Sequence, residues 1–314
     1  MQFVEIDEAD AGQRLDNFLI RKLKGVPKSR IYRIVRHGEV RINKGRTKPD
    51  YRLKDGDIVR IPPIRTASRQ PPPLARNLGW LEERVLYEDD AMLAIDKPSG
   101  MAVHGGSGIN LGLIEALRQL RPNSRFLELV HRLDRDTSGV LLIAKKRSML
   151  KDLHAQLRQG QTKKIYTALL AGAWQGKARR VEAALEKNQL SSGERMVRVS
   201  EEGKPAASRF VPTRNYQDIA AYPAGAALME INLLTGRTHQ ARVHAAHIGQ
   251  PIAGDSKYGD AAFNEAMKAY GLKRLFLHAS SIAFTHSVQS CKMRIESPLA
   301  EDLQQVLEKL DLGT

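Results

Sequence analysis

The strongest constraint on the fold lies between Leu129 and Ala144, in the run LVHRLDRDTSGVLLIA. A charge-dense loop carrying His131, Arg132, Asp134, Arg135 and Asp136 stands between Leu129-Val130 and the apolar run Val140–Ala144. Short apolar runs bounded by turn residues read as buried strands of a sheet core. A short loop tied to such strands at both ends holds some of its charges near the apolar interior. Charges held there need partners or their pKa values shift, and catalytic groups arise in such places.

The elements around this loop set the fold class. Strands are predicted at Val85–Tyr87, Met92–Ile95, Lys163–Leu170, Leu228–Leu234, Phe276–Phe284 and Lys292–Ile295, with further β structure across 178–233. Turns are expected at Lys97–Gly100, Ser192-Gly193 and Gly203–Pro205. Helices are expected at Leu111–Leu120, over 147–159 before Gly160, at Thr238–Ile248, and after Ser297-Pro298. Strands outnumber helices without alternating regularly with them. That predicts an α+β fold: a mixed, largely antiparallel central sheet with flanking helices and a catalytic cleft. The glycine-rich stretch His104–Gly108 lacks the spacing of a phosphate-cradling loop and reads as a mobile wall of the cleft.

Charge separates a first domain from the rest. The chain of 314 residues carries 50 Lys and Arg against 35 Asp and Glu, a net +15. Between Arg21 and Lys54 the count is 13 basic to 2 acidic. Such a surplus attracts a polyanion with salt-dependent affinity, although a merely solvated basic face is the plainer reading. Residues 12–24 read as one helix and Ser29 begins another, which turns Ile31, Ile34 and Val35 inward and Arg30, Arg33 and Arg36 outward. Short strands follow at Glu39–Asn43, Tyr51–Lys54 and Ile58–Ile61, with Lys44 at a turn. Residues 1–61 thus form a small α/β unit, 62–79 a Pro-rich linker, and 80–314 the main domain. The single cysteine, Cys291, sits in an expected strand with no adjacent His. It excludes a disulfide framework and suits a cytoplasmic protein. No apolar run approaches the roughly 20 residues that span a bilayer.

Three stretches together resemble the bacterial ribosomal RNA pseudouridine synthases, and among them the large-subunit type: DKPSGMAVHGG (Asp96–Gly106), HRLDRDTSG (His131–Gly139) and LLTGRTHQARVHAAHIGQPIAGDSKYG (Leu233–Gly259). The stretch QRLDNFL…GVPKSRIYRIVRHGEVRINK resembles the RNA-binding domain of the fourth small-subunit ribosomal protein. The resemblance implies isomerisation of specific uridines to pseudouridine in large-subunit (23S) ribosomal RNA. Nothing in that reaction is oxidised and no group comes from outside, so no cofactor is required. By the same resemblance Asp134 of R-L-D is the nucleophile, Arg242 after His-Gln-apolar its guanidinium partner, and Tyr166 of K-x-Y the ring that stacks on the uracil, with its hydroxyl a candidate in proton transfer. Position 241 is commonly a larger aliphatic in the family, and Ala241 departs from that. Whether Asp134 attacks the anomeric carbon or acts through a glycal stays open. Arg132 is placed to fill the space of an extruded base. Arg237 and His239 are expected at RNA, with Arg30, Arg33, Arg36 and Lys44 on the first domain. The expected partner is large-subunit ribosomal RNA, bound by a monomer without membrane or metal.

Other chemistries compete for the same residues. Asp134 taken alone reads as a turn or cap residue, and Tyr166 as an ordinary strand aromatic. A glycosidase-like pair of Asp134 and Asp136 is a second reading, but Asp136 is expected to hold the turn through backbone amides. Asp-Thr-Ser-Gly also matches an aspartic protease loop, yet such a dyad needs a second copy that this chain lacks. His239, His244 and His247 space poorly for zinc. A non-catalytic RNA-binding or ribosome-assembly factor on the same fold is the remaining rival.

Overall fold

The structure, a computed structural model, describes residues 1–7, 10–23, 25–64, 78–105, 111–189, 195–217, 219 and 221–313. Contacts divide the chain into two units, Met1–Ala75 and Arg76–Thr314. Most of the expected linker (residues 65–77), most of the His104–Gly108 loop and the Ser192-Gly193 turn lie outside the described residues.

In the first unit, β1 (Gln2–Glu5) is followed by α1 (Leu15–Lys22), α2 (Lys28–Arg36), β2 (Arg41–Ile42) and β3 (Ile58–Ile61). The strands form an antiparallel sheet in the order β1-β3-β2. Apolar residues at helical spacing bury Leu15, Phe18 and Leu19 of α1 against Ile31, Ile34 and Val35 of α2. Arg30, Arg33 and Arg36 lie on the exposed face of α2, and Lys44 is exposed with φ 70°. The buried carboxylate of Asp16 ties the helices together. It accepts from Arg14 Nη2 at 2.8 Å and from Tyr32 Oη at 3.1 Å.

Three expectations for this unit change. β1 was not foreseen, and the strand expected at Glu39–Asn43 shrinks to Arg41–Ile42 because Asn43 and Lys44 both take positive φ. Tyr51–Lys54 forms no strand. Its backbone bonds irregularly to residues 12–15, and Asp57 captures it by accepting from Tyr51 Oη at 3.1 Å and Lys54 N–H at 2.8 Å.

The second unit opens with a 3-10 turn at Gly79–Arg84, then β4 (Val85–Glu88), β5 (Met92–Lys97), α3 (Leu113–Leu120), β6 (Glu128–Leu129) and β7 (Ser138–Ala144). Next come α4 (Arg147–Gln159), β8 (Lys163–Ala171), β9 (Arg179–Glu182), β10 (Leu185–Gln189), β11 (Arg195–Val199), β12 (Ala207–Tyr216) and β13 (Ala226–Leu233). The chain closes with α5 (Gln240–His247), α6 (Ala261–Ala269), β14 (Leu277–His286), β15 (Cys291–Glu296) and α7 (Glu301–Leu312). The main sheet runs β4-β5-β7-β14-β8-β13-β12-β9, with β15 on β14 and β6 on β7, while β10 and β11 form a separate hairpin. Among the described pairings only β7–β14 is parallel. This is the mixed, largely antiparallel α+β arrangement that the strand pattern predicts.

Every residue of β7 is buried, as its continuous apolar run requires. At its start, Gly139 has φ 108°, and a Cβ there would stand 2.3 Å from the carbonyl oxygen of Ala279. Only glycine allows β7 to meet β14 this closely, and the charged loop is delivered at that junction. Helix α6 was not foreseen, although Asp260 caps it by accepting from Phe263 N–H at 2.6 Å. Residues 287–290 are the turn between β14 and β15. Cys291 follows that turn and is exposed.

Candidate active site

Two loops meet at the site: residues 130–137, which lead into β7, and Thr235–His239, which lead into α5. The second is fixed by Gln240, whose Oε1 accepts from Thr235 Oγ1 at 2.6 Å and Arg237 N–H at 3.0 Å. Its Nε2 donates to the Ala207 carbonyl and to Ser208 Oγ, both at 2.9 Å. His239 then takes φ 53° before the helix begins. One turn along α5, Arg242 is 5% exposed.

Arg242 divides its donors between two acids. Its Nε and Nη2 make a bidentate pair with Asp255, both at 2.7 Å. Its Nη1 faces Asp134 Oδ2 at 3.5 Å. Burial works against the charge on Arg242, but the hydrogen bonds and charge of Asp255 more than offset it and raise its pKa. Burial likewise opposes the charge on Asp255, and Arg242 with two backbone amides brings that carboxyl below its ordinary value. The guanidinium is therefore a fixed cation, and Asp255 sets its orientation. Asp255 escaped the sequence reading. A signal existed: an arginine inside a helix with no acid on that helix requires a carboxylate from elsewhere.

The side chain of Asp134 is 27% exposed and lines a cleft with Arg132, Tyr166, Arg237, His239 and Arg242. His239 Nε2 lies 3.8 Å from Asp134 Oδ1, and its Nδ1 is 2.8 Å from Tyr258 Oη. Burial holds His239 below its usual pKa, against the pull of Asp134. Tyr258 Oη also accepts from Val197 N–H at 2.9 Å, and its ring lies under the Arg242 guanidinium at 5.1 Å. Tyr166 is 9% exposed, and burial, followed by the Asp134 charge, raises its pKa. Its phenol therefore stays protonated across the physiological range.

The loop before β7 is braced from the other side. Lys97 is fully buried and donates to the carbonyls of Pro98 at 2.8 Å, Met101 at 2.9 Å and Arg135 at 3.0 Å. Ser99 Oγ donates to the Asp136 carbonyl at 2.7 Å. Read from sequence, Lys97–Gly100 was only a turn; here it pins two residues of the loop.

Asp136 departs from its expectation. The amide of Thr137 bonds the Asp134 carbonyl, and the Asp136 carboxylate instead accepts from Arg135 Nε at 3.3 Å. Asp134 and Asp136 line different clefts, an arrangement that does not favour two carboxylates flanking one sugar. The α5 histidines are engaged separately, His244 with Ser208 Oγ and the Ala183 carbonyl, each at 3.0 Å. Among the described residues no group of three or more His, Cys, Asp or Glu is placed to hold a metal. Arg132 and Arg237 are exposed at the cleft mouth. Arg30, Arg33, Arg36 and Lys44 belong to the first unit.

Comparison with known proteins places this geometry in context. Residues 91–247 match the RNA pseudouridylate synthase family and residues 13–59 the S4 domain family. The ribosomal large subunit pseudouridine synthase C of Haemophilus influenzae is 54% identical over 313 residues, covering 99% of this chain and 95% of that protein. The protein of the same name from Escherichia coli K12 is 54% identical over 315 residues, covering 99% and 97%. Among solved structures, human RNA pseudouridylate synthase domain containing 4 superposes with a TM-score of 0.60 at 24% identity, covering 74% of this chain and 95% of that one, a likeness of fold.

Proposed function

The chain belongs to the RNA pseudouridylate synthase family, and from that membership we propose that it isomerises specific uridines of large-subunit (23S) ribosomal RNA, with Asp134 acting as nucleophile on a flipped-out uridine. That it is an RNA pseudouridine synthase follows from the family itself. The RNA class follows the relatives named for the large ribosomal subunit. The observation that carries the residue assignment is the setting of Asp134: a carboxylate in a cleft, 3.5 Å from an arginine that another acid holds in place.

The chemistry fits these groups. The bond from the uracil ring nitrogen to the anomeric carbon breaks, the base rotates, and a bond forms from ring carbon 5 to the anomeric carbon. The proton on carbon 5 leaves and the ring nitrogen gains one, so atoms balance without a redox partner. A carboxylate serves as the anionic nucleophile, either at the anomeric carbon or by taking a sugar proton to give a glycal. Arg242 offers a fixed positive charge beside Asp134. Tyr166, protonated, supplies an aromatic face for the ring and an O–H donor rather than a phenolate base. Extruding the base from a helix leaves a gap, and Arg132 at the mouth is the side chain to fill it. His239 and Arg237 border the same entrance. On the first unit, Arg30, Arg33, Arg36 and Lys44 supply phosphate contacts that add affinity without chemistry.

Tritium release from large-subunit ribosomal RNA labelled at uracil carbon 5 tests the assignment. The unaltered protein releases label, and Asp134→Asn lowers the rate at least about a thousand-fold with RNA retention unchanged. Release by Asp134→Asn at the unaltered rate would falsify the nucleophile. Mapping pseudouridines in large-subunit RNA of a deletion strain identifies the target uridines.

A further inference from the structure

Beside Asp134 the cleft opens into a larger chamber of about 860 Å³, lined by His131, Arg132, Arg158, Lys164, Tyr166 and Arg237 among others. That is near the upper end of the roughly 300–1,000 Å³ usual for a small-molecule pocket, more than one nucleoside needs. Asp134 is the one acid among its lining residues, against four Lys and Arg.

Lys164 is the exceptional member of this set. It precedes Tyr166 by two residues on β8, so both side chains stand on one face of the strand. Its Nζ donates to the Thr235 carbonyl at 3.2 Å, and no described carboxylate pairs with it. Lys164 and Gly236 line the chamber side by side; a Cβ at Gly236 would stand 3.5 Å from Nζ, an ordinary van der Waals contact. His131 on the facing wall brings no negative charge. Its Nε2 accepts from Leu142 N–H at 3.2 Å, and burial, then Lys164, push it down to about 4. Burial alone moves the Lys164 amine to about 8. A half-buried ammonium with one neutral acceptor bears a desolvation cost that an anion entering the chamber would offset.

We propose that Lys164 grips a phosphodiester next to the reacting uridine, which makes the chamber the seat of a flanking nucleotide. The proposal rests on the reading of the cleft as the RNA site. Lys164 and Tyr166 would then act together, the ammonium fixing the backbone while the ring receives the base. The position suits a lysine, which binds phosphate as a mobile point charge through a flexible stem.

The test uses the full chain and a synthetic RNA hairpin spanning a uridine that the unaltered protein converts. Single neutral methylphosphonate linkages are placed in turn around that uridine. One linkage raises KM about 10-fold or more for the unaltered protein, as loss of a charge-assisted contact requires. Lys164→Gln raises KM similarly on unmodified RNA, and the two changes together cost no more than either alone. Lys164→Gln also lowers the slope of log affinity against log salt by about 1, whereas Lys164→Arg retains it. Penalties that multiply at every linkage, with an unchanged salt slope, would make Lys164 a brace for Thr235 and end the proposal. Tolerance of every methylphosphonate by the unaltered protein ends it too, without any variant having to fold. If no uridine of large-subunit RNA is converted at all, the substrate reading fails and not the lysine.

Discussion

At the scale of single residues, the site depends on an arginine shared by two carboxylates. Asp255 takes two guanidinium nitrogens and leaves the third for Asp134. Arg242→Lys cannot reproduce this, because an ammonium lacks the planar fork. Asp255→Asn keeps the size but loses the charge and one acceptor oxygen, so Arg242 is freer to turn from Asp134. The expected result is a fall in kcat of about 10- to 100-fold with KM for RNA little changed, the size seen when supporting shells of a catalytic centre are altered. Steady-state tritium release measures both constants, and an equal rise in KM would instead place Asp255 at the RNA. The family resemblance brought Asp134, Tyr166 and Arg242 to notice, and the structure sets them around one cleft. Asp255 and Lys97 were invisible for a shared reason. Each acts on backbone or charge far along the chain, and a local pattern of Gly, Asp, Lys and Pro reads only as a turn.

At the scale of elements, the decisive join is between the end of β5 and the loop ahead of β7. Continuous apolar runs made the strands legible, and the antiparallel pairing of β5 with β7, which sets Lys97 opposite Gly139, follows from their burial. The short or irregular pieces were not, since β1 is an exposed edge and Tyr51–Lys54 is claimed by Asp57. Lys97 makes the join, with three carbonyls around one ammonium. Lys97→Met leaves those carbonyls without their donor and is expected to cost about 1–3 kcal/mol, together with a loss of activity from the loosened loop. The cost has a pH dependence. Burial brings Lys97 down to about 7 from 10.5. Between those values the unfolded chain holds a proton that the folded chain has released, so stability rises with pH and is lost as pH falls toward 7. Urea unfolding at pH 7.5 and 9.5 should show the gap between the unaltered protein and Lys97→Met widening at the higher pH. A constant gap would mean that the carbonyls keep the ammonium charged throughout.

At the scale of the whole molecule, the proposed function assigns chemistry and affinity to different units. The cleft residues Asp134, Tyr166 and Arg242 all belong to the second unit, whereas the densest positive charge lies in the first, with 13 basic residues against 2 acidic between Arg21 and Lys54. Amphipathic spacing on α2 made that division readable, because the buried Ile31, Ile34 and Val35 oblige Arg30, Arg33 and Arg36 to face water. No pattern in either unit names a target uridine, since RNA is chosen by shape as well as by base edges. If these arginines bind phosphate, their contribution is electrostatic and indifferent to the reaction. Replacing all three with Gln should therefore weaken binding to a large-subunit RNA transcript, reduce the log–log salt slope by about 2 to 3, and leave kcat at saturating RNA unchanged. Filter binding across 50–200 mM salt and single-turnover tritium release read the two effects separately. Since α2 buries none of the three side chains, the triple variant retains its fold, and its circular dichroism should match the unaltered protein. A drop in kcat at saturation would tie the basic helix to the chemical step, and an unchanged slope would return it to a solvated surface.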